Sequence, residues 1–252
     1  MKIILPLLGA GLMALAVPVQ AEVSADILKA PGRSEAALAA DAGRKPVELL
    51  NYFGVSPGMR VLDLMAGGGY YSELLAKAVG PQGAVVSFVN ATPEDGDTAK
   101  LDAAWGRLLA RNPNDRLEKG SVVDLRFKPA DFDFALIHLE YHDFYWESEK
   151  YHYPRVDPDQ ALKRLYAAMK PGGVVGVVDH AADAGGDTRA VVDKLHRIDP
   201  AVVKADFQRA GFVLEGESDL LMTGQDDHAK EVFDPAVRGK TDRFVFRFRK
   251  PG

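Results

Sequence analysis

The chain carries its most reactive side chains in two short runs. Glu140-Tyr141-His142-Asp143 follows one apolar stretch, and Asp179-His180 follows the next. A histidine beside a carboxylate can remove the proton of a hydroxyl or an amine and so prepare it to attack an electrophilic carbon. His142, with Asp143 at its side, is the first candidate for such a base and His180 the second, and Tyr141 is grouped with them as a catalytic candidate. Four of the six histidines, His138, His142, His152 and His180, fall in or beside these runs. A metal centre is a competing use of the same residues. His138, Glu140 and His142 alternate, so on an extended segment they share a face that His180 could approach from the next strand. Helix capping and backbone hydrogen bonding are the plain structural alternatives, above all for His138, which sits inside its strand.

Six of the thirteen residues from Tyr141 to Tyr153 are aromatic, against 9% overall. In a loop, such a stretch is expected to wall a pocket for an apolar or aromatic small molecule rather than to join the core, since core aromatics would follow strand or helix spacing.

A second constellation lies earlier. The apolar run Val61-Leu62-Asp63-Leu64 leads through Met65-Ala66 into Gly67-Gly68-Gly69, after which a helix begins near Tyr70. Glycines after a buried strand let backbone approach a ligand, and the positive end of the following helix favours a nucleotide or a carboxylate there. A dinucleotide site would have a further glycine at Ser72 and an acid near Asn90. Both are missing, and the acid instead precedes the glycines, at Asp63.

The elements that must position these groups alternate. Helices are expected from Lys45 to Phe53, closed by Gly54, from Tyr70 to Val79, from Thr98 to Arg111, from Asp159 to Met169 and from Pro200 to Arg209 with Asp199 as N-cap. Strands are expected from Arg60 to Leu64, Ala84 to Val89, near Leu117 to Val123, Phe132 to Leu139 and Val174 to Val178. This rhythm predicts an α/β, doubly wound, mostly parallel sheet with its ligand site at the C-terminal strand ends. Phe212 to Glu217 and Arg243 to Arg249 have no helix between them and should close it as an antiparallel hairpin, the last strand burying one face. Ser24 to Gly43 reads as a surface arm whose role is not legible, and the charges at His196-Arg197 and Arg238 to Arg243 read as solvated.

Asp63-x-x-x-Gly67-x-Gly69 after a Val-Leu strand resembles the first motif of class I S-adenosylmethionine (SAM) dependent methyltransferases. The resemblance continues through Gly83 to Val86, Asp131 to Leu136, Lys170-Pro171-Gly172-Gly173 and Ala210-Gly211-Phe212, covering roughly Lys45 to Lys250. It is nearest to a group of exported methyltransferases, on Ala66 to Tyr71, His196 to Asp199 and Arg238 to Asp242. The resemblance implies a seven-stranded Rossmann-like fold with SAM as cofactor, held by Asp63, Met65, Ala66, Gly67, Gly68, Gly69, Asn90 and Ser121. Met65 stands where the family has its first glycine, Asn90 where an acid grips the ribose hydroxyls, and Ser121 where an acid often lies near the adenine. A binding protein on the same fold, without catalysis, is the alternative that these three departures suit.

Composition limits the partners. The chain has 252 residues with no cysteine, which excludes disulfides, thiolate metal sites and a cysteine nucleophile. Lys2, the apolar run Ile3 to Val19 and the small residues at Val19-Gln20-Ala21 read as a signal peptide cleaved near Ala21, with Pro6 and Pro18 against a spanning helix. The expected mature protein, an arm over 22–44 and a domain over 45–252, is therefore periplasmic and soluble. The full chain carries a net charge of -5, which argues against a nucleic-acid partner and leaves a small molecule as substrate.

Overall fold

A computed structural model describes residues 22–91 and 98–252; the expected leader lies outside the described residues. The strands are β1 (Arg60–Leu64), β2 (Ala84–Asn90), β3 (Asp115–Gly120), β4 (Phe132–His138), β5 (Met169–His180), β6 (Val213–Ser218) and β7 (Arg243–Arg249). They form one seven-stranded sheet in the order β3-β2-β1-β4-β5-β7-β6, parallel except where β7 pairs antiparallel with β5 and β6. The doubly wound sheet with a closing hairpin is thus as expected.

Side-chain alternation divides the core between the two faces. Leu62, Val86, Ala135, Val175 and Val177 face one way, where α5 (Pro158–Ala168) brings Leu162 and Leu165 and α7 (Pro200–Arg209) brings Val203 and Phe207. Val61, Val85, Phe134, Leu136 and Val178 face the other, against Leu49, Leu50 and Phe53 of α2 (Pro46–Phe53) and Leu74 and Leu75 of α3 (Tyr70–Val79). Gly176 permits that close packing: a Cβ there would stand 2.8 Å from the Phe53 ring. The last strand departs from expectation. Phe244, Phe246 and Phe248 are buried, but so is Val245 at 0% exposure, because β7 lies inside the sheet with both faces covered.

The segment before α2 is more than a surface arm. Val23 and Ile27, before and within a 3-10 turn (Ala25–Lys29), pack into the core, and α1 (Glu35–Arg44) follows with no buried residue of its own. Arg33 is buried and makes a two-pronged ion pair with Asp41 at 2.6 and 2.7 Å, and the Tyr70 hydroxyl donates to the same carboxylate at 2.6 Å. The helix α6 (Thr188–Leu195) has no counterpart in the sequence reading, since only Val192 of its residues is buried and no apolar stripe marks it. Among the described residues no helix is long and apolar enough to cross a membrane.

Candidate active site

At the C-terminal ends of β1, β4 and β5 lies a cleft of about 1090 Å³. Its floor is the turn after β1. Met65 adopts a left-handed backbone with φ 61°, and Gly67 and Gly69 follow at 53° and 82°. A methionine in that region costs roughly 1–2 kcal/mol; the loop takes this conformation despite the side chain, which is buried at 5% exposure. Gly69 cannot be replaced so easily, since a Cβ there would meet Leu108 Cδ1 at 2.6 Å. Leu108 and Trp105 belong to α4 (Thr98–Arg111), and Trp105 Nε1 donates to the Gly67 carbonyl at 3.2 Å, so α4 clamps the glycine turn from behind.

Asp63 lies beneath this turn, accepting from the Ser72 hydroxyl at 2.6 Å. Burial pushes its carboxyl up to about 7, helped by Asp115 and opposed by the Ser72 hydrogen bond. The folded chain therefore holds a proton that an unfolded Asp releases near pH 4, and stability contributed by the protonated form is lost as pH rises from about 4 to 7. Asp63→Asn is expected to flatten the urea-unfolding free energy over that window, by an amount on the order of a few kcal/mol.

The opposite wall carries the candidate base. His142 occupies a short 3-10 turn (His142–Phe144) after β4. Its Nδ1 lies 2.8 Å from Asp179 Oδ1, and its backbone N–H donates to Asp179 Oδ2 at 2.7 Å. Asp179 ends β5 at 0% exposure and also accepts from the His180 N–H at 2.7 Å. Burial alone would raise its carboxyl, but the His142 imidazole and these hydrogen bonds outweigh it and hold the group below its ordinary range. An ionised carboxylate only accepts, so Nδ1 of His142 carries a hydrogen toward Asp179. The Nε2 of the same ring lies 3.3 Å from Asp143 Oδ1. Burial raises the Asp143 carboxyl against the pull of His142 and His196.

His142, Asp143 and His180 therefore share the cleft with Asp63, Met65, Ala66 and the three glycines. Other expectations need correction. Tyr141 is fully buried in the core beneath the cleft and donates its hydroxyl to Asp206 at 2.7 Å, a structural role. Ser121 does not line the cleft; it accepts from the Val123 N–H to cap a 3-10 turn (Val122–Asp124). Leu139, with φ 62°, breaks the extended run that would align His138, Glu140 and His142, and no metal-holding group of three such side chains occurs among the described residues. His152 is exposed and does not line the cleft, whereas His196 does, its ring centroid 5.7 Å from that of His142.

The aromatic stretch divides. Tyr141, Phe144 and Tyr153 join the core, whereas Trp146 and Tyr151 line the cleft with their rings 5.9 Å apart. His196 bridges Trp146 and Phe233 at 5.5 and 5.3 Å, completing an aromatic wall. Sequence reading places Asp179 at the rim without giving it a role and does not reach His196 or Phe233 as site residues. Asp179 carried a signal, an acid at the end of a buried strand; His196 and Phe233 reach the cleft only through the fold of α6 and the long β6–β7 connection. Arg197, expected to be solvated, is at 0% exposure in a two-pronged ion pair with Asp226 at 2.7 and 3.0 Å.

Known proteins resemble this arrangement at two levels. In structure, a SAM dependent methyltransferase from Aquifex aeolicus superposes with TM-score 0.57 at 19% identity, over 81% of this chain and 89% of that one. The 1,6-didemethyltoxoflavin-N1-methyltransferase of Burkholderia thailandensis, with bound S-adenosylhomocysteine, gives 0.55 at 16% identity over 86% and 82%. The fold is that of class I methyltransferases. In sequence, the family model for protein-L-isoaspartate(D-aspartate) O-methyltransferase matches residues 42–99, from the end of α1 through the glycine turn and β2. A demethylmenaquinone methyltransferase of Lactobacillus johnsonii is 29% identical over 50% of this chain and 45% of its own length. A 2-phytyl-1,4-naphtoquinone methyltransferase of Synechococcus elongatus is 31% identical over 49% and 46%. The chain thus spans about half the length of these relatives.

Proposed function

We propose that the protein is a SAM-dependent methyltransferase acting on a small aromatic or apolar acceptor, exported to the periplasm by its leader. The observation that carries this reading is the meeting of the glycine turn and the His142–Asp179 pair across one cleft. The match over the glycine turn and the relatives named as methyltransferases of demethylmenaquinone and 2-phytyl-1,4-naphtoquinone support it.

The residues present fit the donor. Gly68 has open space where a Cβ would stand, leaving backbone accessible. Asn90, at the end of β2, keeps both polar atoms of its amide buried and without a partner among the described residues. Such an amide offers one acceptor and two donors to a ribose diol, and leaving it unmade costs about 1–3 kcal/mol. The glycine turn and Asn90 would hold the adenosyl part, and the bound donor would supply a methyl group on an electron-poor sulfur.

On the acceptor side, Trp146, Tyr151 and Phe233 present flat apolar surface to a ring. Asp179 fixes the imidazole tautomer, so His142, with Asp143 beside it, takes the proton of the acceptor hydroxyl or amine as its lone pair turns to the methyl carbon. Burial holds His180 down at about 3, with the neighbouring Asp179 opposing, so it is neutral at pH 7. Its Nδ1 meets the Thr241 hydroxyl at 2.7 Å, which sets its ring orientation.

Thermal unfolding with S-adenosylhomocysteine tests the donor part. Ligand at 100 times Kd adds about 2.7 kcal/mol, which should raise Tm by roughly 5–10 °C. An unchanged Tm at millimolar ligand would contradict the reading.

A further inference from the structure

Charge is distributed unevenly along the cleft. The arginines of its lining, Arg44, Arg107 and Arg111, belong to α1 and α4 and stand at the glycine-turn end. From Leu139 onward in the chain, the described lining residues include no lysine or arginine but four acids, Glu140, Asp143, Asp193 and Glu231. Two of the histidines among them add no positive charge at neutral pH. Burial holds His196 below the ordinary imidazole range and His180 down at about 3. The half of the cleft that faces the acceptor is therefore anionic.

Two observations point from this charge to a ligand. Asp143 lines the cleft at only 8% exposure, and its Oδ1 is buried with no hydrogen bond, His142 Nε2 standing 3.3 Å away without bonding it. Burial raises this carboxyl, as expected of a buried acid short of a cation. One turn further on, the Trp146 N–H donates to the Asp143 carbonyl at 3.2 Å, which sets the indole beside the carboxyl. Aromatic faces attract cations, and two rings of the same wall already hold one that does not line the cleft. Lys150 Nζ lies 4.7 Å over Tyr151 and the Arg238 guanidinium 5.9 Å over Phe233. The Trp146 ring, 5.5 Å from His196, has no such cation among the described residues.

We infer that the acceptor carries a protonated amine, received between the Asp143 carboxyl and the Trp146 ring, with Asp193 and Glu231 drawing it in from solvent. This rests on the reading of the cleft as that of a methyltransferase and names the acceptor's class, an aromatic ring bearing an ammonium group. The ring lies against Trp146, Tyr151 and Phe233, and the ammonium supplies the hydrogen that Asp143 Oδ1 lacks. A neutral ring gains the first contact only. An anionic one is repelled by the acids that line this half.

Calorimetric titration with three phenols tests this without any turnover. Tyramine, 4-ethylphenol and 3-(4-hydroxyphenyl)propionate share the ring and are cationic, neutral and anionic at neutral pH. With S-adenosylhomocysteine present, the intact chain should bind tyramine at least about 10-fold tighter than 4-ethylphenol, the effect of one charge-assisted contact, and the propionate most weakly. Asp143→Asn should erase the preference for tyramine while 4-ethylphenol binds as before. Asp193→Asn combined with Glu231→Gln changes exposed positions only, so the fold is kept, and should reduce the preference by about 2- to 5-fold. Equal affinity for tyramine and 4-ethylphenol, binding of none of the three, or a preference that both variants leave intact would overturn the inference. Titrating S-adenosylhomocysteine alone keeps the two readings apart. If it fails to bind while tyramine keeps its preference, the donor reading falls and the ammonium site stands; if it binds and the three phenols are equal, the ammonium site falls alone.

Discussion

Asp179→Asn is expected to lower the rate of methyl transfer by about 10²- to 10⁴-fold, the contribution a positioned general base makes, while S-adenosylhomocysteine binds as before. Asp179 accepts three hydrogen bonds, from His142 Nδ1, His142 N and His180 N, at 2.7–2.8 Å. An asparagine has one acceptor oxygen and an NH₂ that must face somewhere. Turned toward the imidazole, the NH₂ forces Nδ1 to accept and Nε2 to carry the hydrogen, which leaves no lone pair for the substrate proton. Turned the other way, it faces the backbone N–H of His142 and displaces the short turn that places the ring. Transfer of tritiated methyl from SAM to a phenolic acceptor, beside a titration of S-adenosylhomocysteine, reads both quantities. A variant that keeps wild-type kcat would remove His142–Asp179 from the chemistry. The charge state of Asp179 also predicts acid sensitivity. Its carboxyl is held below the ordinary range, so the stability it contributes is present above about pH 4 and lost as pH falls below that.

The second large effect is on stability. Asp226→Ala should cost about 3–5 kcal/mol, because it strands the Arg197 guanidinium in a site with 0% exposure. For a domain of this size that lowers Tm by roughly 10 °C. Arg197 also donates to the carbonyls of Ala181 and Lys230, and Asp226 accepts from the Asp242 N–H. The pair therefore ties the β6–β7 connection, which carries Phe233, to the end of β5, which carries Asp179 and His180. Loss of acceptor binding should accompany loss of stability. Replacing both partners with apolar residues, Arg197→Met with Asp226→Leu, should be far milder than Asp226→Ala alone. A shift in Tm under 2 °C for Asp226→Ala would show that the pair does not hold this region together.

These two sites mark where sequence reading succeeded and where it stopped. The buried strands were legible because runs such as Val61 to Leu64 and Phe134 to Ile137 are apolar enough to be covered on both faces, and glycines and prolines punctuate them. The glycine turn and His142 were legible because strand ends in a parallel sheet collect ligands. The N-terminal segment was not, because α1 buries none of its residues and is held by one ion pair and a tyrosine hydroxyl rather than by an apolar stripe. Tyr141 and Phe144 read as pocket wall because they lie in a loop; a 3-10 turn instead rotates them under the sheet edge while pointing His142 at the cleft. Arg197 read as solvated because its partner, Asp226, lies 29 residues away in a connection with no regular pattern.

The central claim is that one cleft holds the methyl donor on the glycine turn and faces its reactive carbon toward His142. A crystal structure of the chain soaked with S-adenosylhomocysteine tests it most directly. The account predicts the adenosyl group against Gly67 to Gly69 with Asn90 reaching the ribose, and the sulfur turned toward His142. Full-occupancy density for the ligand elsewhere, or with its sulfur facing away from His142, would contradict it.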